Sequence, residues 1–356
     1  MDIGSSKISM LAGVKQSGKN VVLGQSEVSY EGYMDGEFLT PQNLKMHIQN
    51  AVSALEVSVS SEIKSLTVSV PAEFSYSVTQ KVNVTFASLA KITAETLSEV
   101  KQSAVEDMSG FIPLSTQPIF YTLSDGKQVI NPINHKTLSL SAFVNVIYAK
   151  KTFVETLNQI FASIGINSVK YVSGPLVLVQ SNFLDLAQKV CVVDVGYLSS
   201  TVIVARGKGL ENVFSFSLGG GQIEADLMDS FALTLKEAAE LKRNIVLSLS
   251  TQNAEFYETA NLGKTRKILT HNANQVVESR LTELSYIIND CLNKCGAKED
   301  MSIYLTGGGI TQIQGAKNFL AKKLERNVEI LNPKQLGFNK PFQTSLISLF
   351  LSQINA

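Results

Sequence analysis

An aspartate, one β-branched residue and a glycine, followed by small hydroxyl residues, occur twice in this chain. The first copy is Asp2-Ile3-Gly4-Ser5-Ser6-Lys7; the second, past the middle, is Asp194-Val195-Gly196-Tyr197-Leu198-Ser199-Ser200. Each lies between strand-like runs. An acidic group at a strand end can hold the water shell of a metal ion. Glycine lets backbone approach a phosphate, and Ser5, Ser6 and Lys7 offer amides, hydroxyls and a cation. A third turn, Thr306-Gly307-Gly308-Gly309, precedes a helix and leaves room for a flat ring or a ribose. Each turn alone reads more readily as an ordinary hairpin turn. Their joint order is the constraint: two Asp-x-Gly turns from two halves, then a triple glycine, can clamp a nucleotide between duplicated domains.

The texture between these turns is that of α/β layers. Residues 8–14 and 21–29 alternate like strands, and Pro41 opens a helix with Leu44, Ile48, Ala51, Val52 and Leu55 at helical spacing. A short strand at 66–70 ends at Pro71. From about 75 to 150 the chain is β-rich, with alternation at 78–86, 117–123 and 138–149 and one helix begun at Thr93. Helices are expected at 151–164, 176–186, 222–232, 235–247, 314–324 and 343–353. A polar helical region should run on to about Leu292. Strands are expected at 168–172, 190–195, 201–206, 213–218, 303–305 and 328–331.

Composition excludes several classes. Lys+Arg and Asp+Glu both total 31, which gives no electrostatic case for nucleic acid or an anionic membrane. With 44% hydrophobic and 17% charged residues, the chain can build large cores. Its 3 cysteines show no metal-ligand spacing; Cys191 reads as a small core residue, and the sparse usage suits a reducing compartment. Met-Asp-Ile-Gly does not read as a signal peptide, and no apolar run approaches the ~20 residues that span a bilayer. The expectation is a soluble cytoplasmic protein.

The order of the three turns resembles the superfamily of actin, the Hsp70 chaperones and the sugar kinases, and the details resemble the FtsA family of bacterial division proteins. Asp2–Lys7 is similar to the family's first phosphate motif. Ser217-Leu218-Gly219-Gly220-Gly221-Gln222-Ile223 with Asp226 is similar to its strand–Gly-Gly–helix segment. Ala239-Glu240-Leu241-Lys242-Arg243 is similar to its Glu/Lys helix, and Tyr304–Gly309 to its adenosine motif. Ile130-Asn131-Pro132 and Leu138-Ser139-Leu140 resemble the part that closes the inserted domain. The resemblance covers nearly the whole chain, and the early β-rich insertion is its most specific sign.

The resemblance implies an actin-like ATPase fold: two duplicated ribonuclease-H-like domains with a small α+β domain (SHS2-like) inserted in the first half. Residues 1–74 with 340–356 would form the first domain, 75–150 the insertion and 151–172 the return. Residues 173–339 would form the second domain, with a helical subdomain at about 222–300. ATP with Mg2+ would be held by Asp2, Gly4, Ser5, Ser6, Lys7, Asp194, Gly196, Ser199, Ser200, Gly219, Gly220, Lys242, Arg243, Gly307, Gly308 and Gly309. Asp2 and Asp194 would serve the metal through water. Expected partners are a second copy in a protofilament, the tubulin-like ring protein FtsZ, and other division proteins through the inserted domain. The expected location is the cytoplasm, peripheral at the inner face of the membrane.

The chain also departs from the family pattern. Tyr197-Leu198 stand where relatives carry Gly-Gly, which should crowd or re-aim the turn, at a cost if Leu198 needs a positive φ. Thr201 stands where an Asp is common, and Ala239 where a Glu is usual. Ser173-Gly174-Pro175 carries no acid or amide to orient water, so hydrolysis should be weak or absent. Met1 directly precedes Asp2, so the first strand reads as cut short, by a trimmed or mis-assigned start or as a short strand in its own right. The apolar run 346–351 lacks a basic face and reads as core-packing, so membrane contact would be indirect or through a segment absent here. His47, His135 and His271 read as surface or packing residues. Lys264-Thr265-Arg266-Lys267 reads as a solvated helix face or a partner patch. A pilus scaffold like PilM, binding a peptide in the inserted domain, is the nearest alternative. A sugar kinase would need an acidic base and a larger substrate insertion, and no candidate Asp is present.

Overall fold

The five apolar residues after Pro41 form the buried stripe of helix Pro41–Val59: Leu44, Ile48, Ala51, Val52 and Leu55 are all buried. Proline at the first position suits the helix start, and Ser60 ends it in the left-handed region at φ +52°. In the computed structural model, residues 1–183, 186–247, 255–261, 264–298 and 300–354 are described. They fall into two units: Met1–Val190 with Ile203–Phe214 and Ser345–Ala356, and Cys191–Val202 with Ser215–Thr344.

In the first unit, the helix covers a five-stranded sheet ordered Ser168–Ser173, Ser65–Val70, Asp2–Ile3, Lys7–Gln16, Lys19–Ser29. Asp2 pairs in parallel with Ser69 and antiparallel with Ser9, so the first turn leaves the sheet centre. Ile3, Ile8, Val68, Val70, Phe153 and Phe161 fill the core beneath. Helix Thr344–Ile354 buries Ile347, Leu349 and Phe350, as a core-packing helix should. A Cβ on Gly13 would lie 2.5 Å from the Phe350 ring, so only glycine admits that ring.

Residues 75–150 form a separate four-stranded sheet, ordered Ser75–Lys91, Lys136–Lys150, Phe111–Leu123, Gln128–Val129. Helix Ala94–Ser103, capped by Thr93, packs on it over Val100, Tyr121, Leu140, Val144 and Tyr148. Strand Lys136–Lys150 is buried on both faces from Val144 to Ala149, which its alternating polar residues do not announce. Asn145 explains this: its Nδ2 donates to Ser77 Oγ (2.8 Å) and the Val78 carbonyl (3.3 Å), and its Oδ1 accepts from the Leu210 amide (3.1 Å). The chain around Leu210 docks there, with Gly207 at φ +62° and its Cβ position 2.0 Å from the Ile119 carbonyl.

In the second unit, the strand ending at Val195 pairs in parallel with Ile303–Thr306, Asp194 opposite Thr306, and that strand pairs with Val328–Ile330. Cys191 has no exposed surface, and burial pushes its thiol up to about 12.

Three expectations need correction. The helix expected at 176–186 is Gly174–Asn182, started by Ser173 capping Leu176, and the next strand already begins at Leu186. The helix expected at 235–247 ends at Asn244. The polar region to Leu292 is not helical throughout: Phe256–Asn261 and Lys264–Leu269 form an antiparallel hairpin before helix Thr270–Lys294. Buried Thr259 and Ile268 hold its inner face, and the Tyr257 hydroxyl joins the Val246 amide (2.9 Å) to Asn274 (3.0 Å). The 264–267 basic run is therefore on a strand.

Replacing Asn145 by Ala leaves the Leu210 amide buried without its acceptor. The expected loss is about 2 kcal/mol, read as a lower urea midpoint with an unchanged slope.

Candidate nucleotide-binding turns

The second Asp-x-Gly turn folds back on itself: the Gly196 amide donates to the Ser199 carbonyl at 2.9 Å. Gly196, Tyr197 and Leu198 are absent from the residues with positive φ, so no left-handed leucine is needed and the expected strain is not there. The turn points its carbonyls towards helix Gly220–Phe231. Gly220 donates to the Gly196 carbonyl (2.9 Å) and Gly221 to the Tyr197 carbonyl (2.7 Å). The Gly219 amide donates to Gln222 Oε1 at 2.8 Å. Three of the four amides that a helix start leaves unpaired thus bond inside the protein.

The triple glycine closes the arrangement. The Gly309 amide donates to the Val195 carbonyl at 2.8 Å. Cβ positions on Gly309, Gly220 and Gly219 would lie 2.2 Å from the Gly196 carbonyl, 2.5 Å from the Gly309 carbonyl and 2.5 Å from the Tyr197 carbonyl. Gly307, at φ +89°, sits with its Cβ position 2.3 Å from Asp194 Oδ1. Gly308 faces Phe342. The close approach expected at these glycines is made between backbone groups of the protein.

Tyr197 fills the space over Gly221, its ring atoms 3.1 Å from the Cβ position there. Its hydroxyl donates to Glu224 Oε2 at 2.9 Å, and Glu224 Oε1 lies 2.6 Å from Lys242 Nζ. Lys242 also donates to the Gly220 carbonyl at 3.1 Å and lies 5.8 Å from the Tyr197 ring centre. The side chains of Lys242 and Glu224 are 8% and 6% exposed, so the pair is buried. Burial lowers the Lys242 pKa and Glu224 raises it back in part; burial and the Glu224 charge raise that of Tyr197. Sequence reasoning missed Glu224, although an acid on the stripe of Gly220, Ile223 and Leu227 was a legible signal.

Other expected residues also have partners. Ser200 donates to the Leu218 carbonyl. Arg280 grips Asp226, with Nη2 2.9 Å from Oδ1. Arg243 is exposed. In the first unit, the Gly4 amide donates to the Lys7 carbonyl (2.9 Å), and the Tyr30 hydroxyl to the Gly4 carbonyl (2.7 Å). Lys7 pairs with Glu27 at 2.6 Å in an exposed bridge of small worth. Ser5 is buried and Ser6 half-buried. Burial raises the Asp2 pKa, against the pull of the Met1 amino group, Lys7 and a Ser69 hydrogen bond.

A nucleotide phosphate with Mg2+ needs donors and a cation turned towards it. In the second unit the amides of Gly219, Gly220 and Gly309, the Ser200 hydroxyl and the Lys242 ammonium bond to protein acceptors. Five of the residues expected to hold ATP with Mg2+ thus already bond within the protein.

The two-layer sheets, the duplicated turns and their positions define an actin-like ATPase fold, and solved structures agree. A type IV pilus PilM–PilN complex matches with TM-score 0.68 at 16% identity, covering 99% of this chain and 97% of that one. The ethanolamine utilization protein EutJ of Carboxydothermus hydrogenoformans matches at 0.56 and 11%, covering 98% and 87%. MreB5 of Spiroplasma citri bound to ADP matches at 0.56 and 10%, covering 99% and 95%.

Within that class, the sequence is FtsA-like. The family model described as Cell division protein FtsA matches residues 191–348. Cell division protein FtsA of Bacillus subtilis strain 168 is 20% identical over 96% of this chain and 80% of its own length. That of Enterococcus faecalis is 21% identical over 100% and 83%.

Glu224→Gln should cost about 3–5 kcal/mol near neutral pH, because it leaves a buried ammonium without its counter-charge. Losing Glu224 lowers the Lys242 pKa further below its ordinary 10.5. The folded variant then binds fewer protons than the unfolded chain in that window, so its stability rises with pH. Denaturant midpoints from pH 7 to pH 10 should converge on those of the wild type.

Proposed function

We propose that the chain is a cell-division scaffold of the FtsA kind. It polymerises as an actin-like protofilament and links a ring of the tubulin-like protein FtsZ to the membrane or to other division proteins. The observation that carries this reading is likeness to Cell division protein FtsA along 96% and 100% of the chain, across both units. Residues 75–150 serve as the inserted domain that meets division partners, and Asp2–Lys7 with the second-unit turns descend from an ATP·Mg2+ site. Among the described residues no helix is long and apolar enough to cross a membrane, so membrane attachment is peripheral in this reading.

Turnover of nucleotide is slow or absent. Gly174 stands where water-orienting side chains occur in hydrolytic relatives, and a Cβ there would lie 2.6 Å from Ser69 Oγ and 3.2 Å from the Val70 carbonyl. Steady-state phosphate release should stay at background; release at the rate of a working chaperone or kinase would refute it.

A pilus-scaffold reading is favoured by the PilM-type likeness at TM-score 0.68, though at 16% identity this speaks to the fold alone. The two separate by experiment. Sedimentation should pellet the protein as polymer and carry FtsZ with it. No polymer and no FtsZ in the pellet, with binding of a pilus-type peptide, would reverse the order of the two readings.

A further inference from the structure

We propose that the Glu224 carboxylate is a resident anion that takes the place of a bound nucleotide as the partner of Lys242 in the second unit, so that the glycine segments at Gly196, Gly219–Gly221 and Gly307–Gly309 form without a ligand. The geometry supplies each part. Lys242, the cation of the helix that resembles the family's Glu/Lys helix, is 2.6 Å from Glu224 Oε1, and both side chains are nearly sealed from solvent. The Tyr197 hydroxyl gives Glu224 a second partner at 2.9 Å. The amides of Gly219, Gly220, Gly221 and Gly309 bond to Gln222, Gly196, Tyr197 and Val195. A phosphate entering here must break several of these bonds and bring negative charge beside a buried carboxylate. The resident anion meets no such penalty, and being part of the chain it loses no translational freedom.

Two side chains set the device. Tyr197 stands where the related turns carry glycine, and its ring covers Gly221. Glu224 lies one helical turn beyond Gly220 and reaches back to the lysine of the neighbouring helix. Ala239 fits the same arrangement, since a second carboxylate one turn before Lys242 would crowd Glu224 with like charge. The proposal stands on the second unit alone and is separable from the cell-division role, because sedimentation with FtsZ can fail while the test below succeeds.

The test uses the full chain, titrated with ATP·Mg2+ and ADP·Mg2+ to millimolar concentration. A ligand at about 100 times its Kd stabilises a native state enough to raise Tm by several degrees. The expected result is no saturable rise. Hydrogen exchange on segments 218–224 and 305–311, with and without ATP·Mg2+, gives the local readout. Slow exchange in the free protein, unchanged by nucleotide, supports the resident anion even if a rise in Tm reveals nucleotide elsewhere. Fast exchange in these segments without nucleotide, or any change on adding it, overturns the proposal.

Discussion

The second unit depends on backbone approaching backbone where no side chain can intervene. Gly196, Gly220 and Gly309 come from three separate turns, and Cβ atoms on the last two would fall 2.2–2.5 Å from carbonyl oxygens of the others. Their amides and carbonyls can then bond directly, which satisfies the start of helix Gly220–Phe231 and ties it to the strand ends. Glycine costs conformational entropy, so such clusters persist where contact repays it. In this chain the contact at Gly220 and Gly309 is made by protein backbone.

Around that glycine cluster lies a buried ion pair, and its worth is conformational rather than energetic. Taking an ammonium and a carboxylate out of water costs several kcal/mol per ion, about what their attraction returns. Breaking the pair is expensive because the survivor is stranded. Lys242, Glu224 and Tyr197 therefore fix how two helices and one turn meet more than they add to stability. Arg280 and Asp226 hold the helix Thr270–Lys294 against helix Gly220–Phe231 in a more exposed bridge.

The inserted sheet shows the same logic without charge. A polar Asn145 in the middle of a fully covered strand keeps three hydrogen bonds and so identifies what covers it. An apolar residue there would bury as well but would not select the Leu210 amide as its neighbour.

Much was legible in the sequence because short-range periodicity determines it. The stripe Leu44, Ile48, Ala51, Val52, Leu55 named its helix and its buried face, and alternation named the strands of the insertion. The hairpin at 256–269 was not legible, because a polar, weakly alternating run takes its state from what packs on Thr259 and Ile268. The candidate site divides along the same line. Sequence singled out Gly196 and the triple glycine 307–309 as positions of close approach, since only glycine allows it. Tertiary structure decided what they would meet: the direction of the Gly196 and Tyr197 carbonyls, and a glutamate 18 residues from its lysine, placed in contact with it by the packing of two helices. A hydrogen-bond donor is written in the sequence; the acceptor it finds is set by the fold.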